Sequence, residues 1–397
     1  MATAPPPQSQ RIPFWRDVRV IGVLLQIAFA LAVLALFWFL YRNMMAGLES
    51  ANLAPSFRFL SQEAGFPIAE GLPYDPSDSY GYAFLVGVVN TVRVAVVGII
   101  LATILGITVG LFRLSNNWLL RSIAIVFIET LRNTPLLLQL VFWFFVTRAF
   151  PRVQESIAVG NVMYMHNRGV SLVWPVTGAS FSAWLPWLIV ALIAAVGVFF
   201  GRRMQLKRAD RPGLSWPWAL LGAFVVALLG WLVVSLTSGR GAPLLLEFPE
   251  LQGFNFVGGI TVSSNFFALL TGLTFYTAAF IAEIVRSGIM AVSKGQREAA
   301  RALGLNANQT MRLVIFPQAL RVIIPPTTSQ YLNLAKNSSL AIAVGYQDIY
   351  NISQTIFNQT GQAVPVILMM MVSYLAVSLF TSLLMNWYNR RMQLVER

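Results

Sequence analysis

Long apolar runs separated by charged intervals dictate what this chain can become. The first, Val20 to Leu40, contains no charged side chain. At 1.5 Å per residue, about twenty such residues cross the roughly 30 Å hydrocarbon core of a bilayer as a helix. Comparable runs recur at about 84–112, 123–146, 183–200, 218–236, 266–289, 319–344 and 364–388, which makes eight expected spans. With 57% of residues apolar and 11% charged, the chain has more apolar surface than a soluble domain could cover. The expected class is an all-α integral membrane protein with eight transmembrane helices. The first run is expected to stay as an anchor: it is longer than the apolar core of a secretory leader, and Arg42 follows it in place of small cleavage-site residues.

A net charge of +13 would point to nucleic acid in a soluble chain. Here the position of each charge relative to the spans decides, and no nucleic-acid partner is expected. Arg11, Arg16 and Arg19, then Arg113 and Arg121, the tract 202–211, the stretch 286–321 and Arg390 with Arg391 all fall on one side. Acidic loops carrying Glu49, Glu63, Glu70, Asp75 and Asp78, and later Glu247 and Glu250, fall on the other. The positive-inside rule then places both termini in the cytoplasm. Residues 1–19 are expected to be a disordered basic tail, 20–40 an extra N-terminal helix, 41–83 a periplasmic loop and 391–397 a cytoplasmic tail. The chain has no cysteine, which excludes disulfides, thiolate catalysis and Cys-ligated metal.

Between the sixth and seventh runs lies a charged interval that itself has helical character. Arg297, Glu298, Arg301 and Arg312 mark one side, while Ala299, Ala300, Leu303, Met311, Leu313 and Val314 recur at three-to-four spacing on the other. A short amphipathic element at the membrane surface is predicted. Gly304 is expected to interrupt it and Pro317 to end it, giving two helices joined at an angle.

Glu298-Ala299-Ala300, then Gly304, then Val314-Ile315-Phe316-Pro317 fit the pattern E-A-A-x3-G-x9-I-x-L-P, with Val314 and Phe316 standing for Ile and Leu. This resembles the membrane subunits of ABC importers. The flanks FIAEIVRSGI, FPQALRVIIPP and LAKNSSL, and upstream NTVRVAVVGIILATILGITVGLFRLSN and FIETLRNTPLLLQLVFWF, resemble the polar amino-acid branch. The match covers most of 84–390 outside an insert at about 147–264. The resemblance implies a type I ABC importer transmembrane domain with five core spans plus three extra, as in the larger permeases of general L-amino-acid importers. It also implies that 295–317, with Glu298, Ala299, Ala300, Gly304 and Pro317, is a cytoplasmic coupling helix seated in a separate ATPase. Further implied partners are a second, related permease subunit and a periplasmic amino-acid-binding protein, all in a bacterial inner membrane. No cofactor is expected in this chain, because ATP and Mg would be bound by the ATPase dimer.

Charges inside spans are costly unless paired or hydrated. Glu129 and Arg132 are three apart on one helix, as are Glu283 and Arg286. Each couple is either a local ion pair or a lining of the substrate path. Asn333, Lys336, Asn337 and Ser338 suggest a broken helix beside a wet cavity, with Lys336 meeting either a substrate carboxylate or one from a neighbouring span. Pro325-Pro326 is expected to kink or start that span.

Catalytic and metal-binding patterns are missing. There is no G-x-x-x-x-G-K-[ST] phosphate loop and no His-Glu-x-x-His pattern, and His166 is the single histidine, expected as an ordinary polar loop residue. Energy must then come from another chain or from an ion gradient. An ion-driven secondary transporter would show two repeated halves with matching broken helices, and only one such segment is evident. A membrane-embedded enzyme would need a convergent His, Asp and Glu set, which is absent.

Overall fold

The computed structural model describes residues 18–50, 56–209, 213 and 215–392. The expected tails 1–19 and 391–397 lie outside the described residues except at 18–19 and 391–392. In chain order come helices α1 (Val18–Ser50), α2 (Tyr80–Arg113), α3 (Trp118–Asn133) and α4 (Leu136–Arg148). Strands β1 (Ile157–Val159), β2 (Met163–His166), β3 (Gly169–Leu172) and β4 (Trp174–Thr177) follow. Helices α5 (Phe181–Arg208) and α6 (Trp216–Thr237) then lead to β5 (Leu244–Glu247), β6 (Glu250–Gln252), β7 (Asn255–Val257) and β8 (Ile260–Ser263). The last third holds α7 (Ser264–Met290), α8 (Lys294–Ala302), α9 (Ala307–Gln309), α10 (Phe316–Asn337), α11 (Ile349–Thr360) and α12 (Ala363–Met392).

Among the described residues, six helices, α1, α2, α5, α6, α7 and α12, are long and apolar enough to cross a membrane, and α3 with α4 makes a seventh if that bent pair is one span. Two of the eight expected runs differ from single apolar helices. The run 123–146 is broken: α3 and α4 meet at 111°. Thr134 is extended there (φ −100°, ψ 130°), because the ring of Pro135 excludes helical geometry from the residue before it. The run 319–344 is α10 followed by a 3-10 turn, Ser338–Val344, and its Arg321, Gln330, Asn333 and Lys336 make it too polar to stand with the six. Pro325 and Pro326 sit inside α10 and do not start it.

Nor is the fold all-α. The expected loops 147–180 and 239–264 carry eight short strands. β1, β2, β3 and β8 form an antiparallel sheet in that order, β4 pairs with β5, and β6 pairs with β7. The pairings nest: β3 with β8 (Gly169↔Ser263 to Leu172↔Ile260) encloses β4 with β5, and the α5–α6 hairpin projects from the inner pair. The insert therefore returns to where it left, and α4 and α7 pack as neighbours across it. Within the hairpin, Trp184 Nε1 donates to Ala227 O at 2.9 Å, so the indole N–H is satisfied between helices where lipid could not serve it.

Around α7 sit α2, α3, α4 and α10, with Leu140, Leu269, Leu273, Ile281 and Leu334 fully buried among them. Small residues let the backbones close up, as is usual where lipid supplies no hydrophobic drive. A Cβ added at Gly106 of α2 would lie 2.7 Å from Ile281 Cβ. Helix α1 continues past its expected end at Leu40, and most of its apolar side chains are exposed. Residues 56–79 are packed, not loose: Phe59, Ala64 and Phe66 join Tyr80, Phe84, Ile349, Ile352 and Ile356 in a second apolar cluster. Helix α11, unforeseen, is the other half of that cluster.

Candidate functional site

The charged interval folds as a hairpin at the end of the bundle away from residues 56–79. Helix α8 stops at Ala302, where Gly304 turns left-handed (φ +75°). Leu305 N donates to Ala300 O at 3.1 Å and Gly304 N to Arg301 O at 2.9 Å, the paired bonds of a glycine-terminated helix end. A Cβ at Gly304 would meet nothing within 4 Å, so the backbone angle alone demands glycine. Asn306 restarts the chain: its Oδ1 accepts from Gln309 N at 2.9 Å while Gln309 Oε1 accepts from Asn306 N at 3.0 Å.

From there the chain does not stop at Pro317 as expected. Residues 310–315 widen into a π-helical turn, in which Phe316 N reaches Met311 O five residues back, and α10 runs on through Pro317 in its first turn. The wider turn moves the preceding carbonyls off the proline ring, and Pro317 has no N–H to leave unpaired.

Two bonds lash the hairpin to the bundle. Arg297 Nη2 donates to Ile289 O at the end of α7 (3.0 Å), and Gln318 Nε2 donates to Gln296 Oε1 (3.2 Å). Ala300 is 2% exposed and packs inward with Val292 and Ile315 buried nearby. Glu298, Ala299, Gly304 and Pro317 face out. The expected apolar side is thus divided: Val314 is half-buried, whereas Met311, Leu313 and Leu303 (80% exposed) are left on the surface. Exposed leucines beside arginines and a glutamate form a surface suited to another protein.

Of the two expected couples, only Glu283 and Arg286 form an ion pair among the described residues. Arg286 Nη2 lies 2.5 Å from Glu283 Oε1 and Nε donates to Oε2 at 2.9 Å. Arg132 instead lies over the Phe280 ring at 5.3 Å, and both Glu129 and Arg132 are exposed. On α10, Arg321, Pro325, Ser329, Asn333 and Lys336 recur every four, four, four and three residues, and all are exposed. Asn337 is half-buried, and Ser338 is buried with its Oγ donating to Ala335 O at 2.8 Å. The regular helix ends at Asn337, so the expected break follows Lys336 closely.

Some placements were not foreseen. His166 is 2% exposed, stacked on Phe256 and within 3.1 Å of Ser171 Oγ, and so is a packed strand residue and not an ordinary loop residue. Burial and nearby Arg168 hold its imidazole below the usual range. Glu70 accepts from Ser263 and lies within the electrostatic reach of Arg93 at the opposite end of the bundle from the hairpin, which no local spacing announces.

Residues 193–394 match the family described as binding-protein-dependent transport system inner membrane component. The chain is 44% identical to the Escherichia coli (strain K12) protein YhdX, named as an amino-acid ABC transporter permease, over 94% of each chain. It is 42% identical to the general L-amino acid transport system permease protein AapQ of Rhizobium johnstonii, covering 96% of this chain and 94% of AapQ. The glutamate/glutamine/aspartate/asparagine transport system permease protein BztB of Rhodobacter capsulatus is 40% identical across the whole of both. With such agreement along the full length, β-bearing insert included, the chain belongs to the binding-protein-dependent transport system inner membrane component family.

Proposed function

We propose that the chain is the permease subunit of an ATP-driven ABC importer that moves L-amino acids across a bacterial inner membrane. It crosses that membrane eight times with both termini in the cytoplasm, α10 and the bent α3–α4 pair each serving as one crossing. The α8–α10 hairpin, with Glu298, Ala299, Ala300, Gly304 and Pro317, is gripped by a dimer of separate ATPase subunits that bind ATP and Mg. A periplasmic amino-acid-binding protein delivers substrate to the segments 41–83, 147–180 and 239–264. The chain is a transport subunit and hydrolyses nothing itself.

The observation that carries this reading is the stripe Arg321, Ser329, Asn333 and Lys336 on the exposed face of α10. Elsewhere the long helices turn apolar side chains outward. A charged and amide-bearing face is costly against lipid and cheap against water or a second subunit. One chain therefore supplies half of a polar path, and a related permease supplies the other half.

Uptake into membrane vesicles tests it. ATP supplied with the ion gradient collapsed should sustain L-amino-acid uptake by the assembled complex. Uptake that follows the gradient and ignores ATP would favour an ion-driven secondary transporter instead. A complex purified under mild conditions without an ATPase chain would overturn the proposal.

A further inference from the structure

One charged cluster stands apart from the hairpin and the α10 stripe. Glu70, on the segment between α1 and α2, accepts a hydrogen bond from Ser263 Oγ, which in turn caps α7 by accepting from Phe266 N at 3.0 Å. The other carboxylate oxygen of Glu70, Oε2, is buried and has no hydrogen-bond partner. The guanidinium of Arg93 on α2 lies over the ring of Phe266, 4.9 Å from the centroid. The two charges attract each other, yet among the described residues they form no ion pair within 4.0 Å. A carboxylate and a guanidinium are thus neighbours without a direct bond between them.

The segment bearing Glu70 is braced by Asn90, Gln347 and Tyr346. Asn90 Nδ2 donates to Glu70 O at 3.1 Å and to Gln347 O at 2.9 Å. Gln347 Nε2 donates to Pro67 O at 2.9 Å, and its Oε1 accepts from Ala69 N at 2.8 Å. Tyr346, 1% exposed, sets its ring 5.6 Å from that of Phe266 and donates its hydroxyl to Asn90 O at 3.4 Å. Burial raises the Glu70 carboxyl above the ordinary carboxylate range, against the lowering effect of Ser263 and Arg93. The acid gains if a further donor arrives at Oε2.

A free α-amino acid carries just this pair of complements: an ammonium that donates to carboxylates and a carboxylate that accepts from guanidinium. We infer that Glu70 and Arg93 form a receiving site for the zwitterionic head group of an α-amino acid, ammonium on Glu70 and carboxylate on Arg93, at the periplasmic entrance of the path. The inference rests on the proposed amino-acid substrate class. It reads only the backbone atoms that all amino acids share, so it leaves side-chain choice to other parts of the importer.

The test uses the complete importer in liposomes and whichever of the twenty L-amino acids it takes up fastest. Glu70→Gln and Arg93→Gln should each raise the apparent KM by about tenfold or more, the worth of a charge-assisted hydrogen bond, with assembly unchanged. Arg93→Lys should fall between. A second readout is independent of turnover. The chain has no cysteine, so Ser263→Cys places its single thiol beside Glu70. Saturating amino acid should slow that thiol's reaction with a cationic methanethiosulfonate severalfold, and the des-amino analogue should not. Unchanged KM in both glutamine variants, or a labelling rate indifferent to the amino acid, overturns the site. Loss of all ATP-dependent uptake in the wild type would strike at the proposed function, while thiol protection would still support the site.

Discussion

Gln139, in the first turn of α4, reaches back across the bend to donate Nε2 hydrogen bonds to Leu131 O at 2.8 Å and Thr134 O at 3.0 Å. A helix end leaves its last carbonyls without partners, and the 111° break leaves those of α3 to be served by other groups. Thr134 Oγ1 takes a further one, Thr130 O, at 2.7 Å. Gln139→Leu keeps the volume and removes the donors. It should destabilise the chain by about 1–3 kcal/mol, seen as a lower melting temperature in detergent, whereas Leu138→Ala on the exposed face should change it little.

Much of the bundle was legible because a span long enough to cross lipid needs an unbroken apolar run. The bounds of α2, α6, α7 and α12 therefore fall within a few residues of the runs that announced them. The strands were not legible: at three or four residues each they show no alternation to speak of, and only their nested pairing makes them strands. Pro317 was misjudged because a proline forbids a standard helical turn but not a widened one. Glu70 and Arg93 are brought together by the packing of 56–79, and neither sits in a motif.

Gly304 is the second place where one residue type is required. Its φ of +75° costs any residue with a Cβ about 1–2 kcal/mol, although no atom blocks the space. Gly304→Ala should leave the bundle folded and loosen only the α8 end. Co-purification of the ATPase and ATP-dependent uptake should both drop, and Gly304→Asn should drop them less, since asparagine tolerates this backbone. Equal retention of ATPase in both variants and the wild type would show that the turn does not shape that contact.

Glu283 and Arg286 hold each other with two hydrogen bonds on one helix face, each about a quarter exposed (26% and 27%). A carboxylate so engaged with its own neighbour has little capacity left for a substrate ammonium. A partly exposed pair of this kind is worth roughly 0.5 kcal/mol. Glu283→Gln should therefore assemble normally and take up amino acids with an unchanged KM. A KM raised by about tenfold would instead return Glu283 to the path.

Asp348 gives the chain a specific dependence on pH. It is fully buried as the cap of α11, its Oδ1 accepting from Asn351 N at 2.9 Å and its Oδ2 from the Tyr374 hydroxyl at 3.1 Å. Burial outweighs those bonds and pushes its carboxyl up to about 6 from an ordinary 3.8. The folded chain consequently holds this proton more tightly than the unfolded one. As pH rises from about 4 the unfolded state ionises first, and stability falls until the folded carboxyl also ionises near 6. Above that the loss is complete, of order 3 kcal/mol. Asp348→Asn retains an oxygen to cap the helix and carries no charge. Thermal melts should show the variant matching the wild type near pH 3.5 and exceeding it at pH 7.5. If the wild type gains on the variant as pH rises across that window, the buried carboxylate is a net stabiliser, and α11 is held in place by ionisation instead of in spite of it.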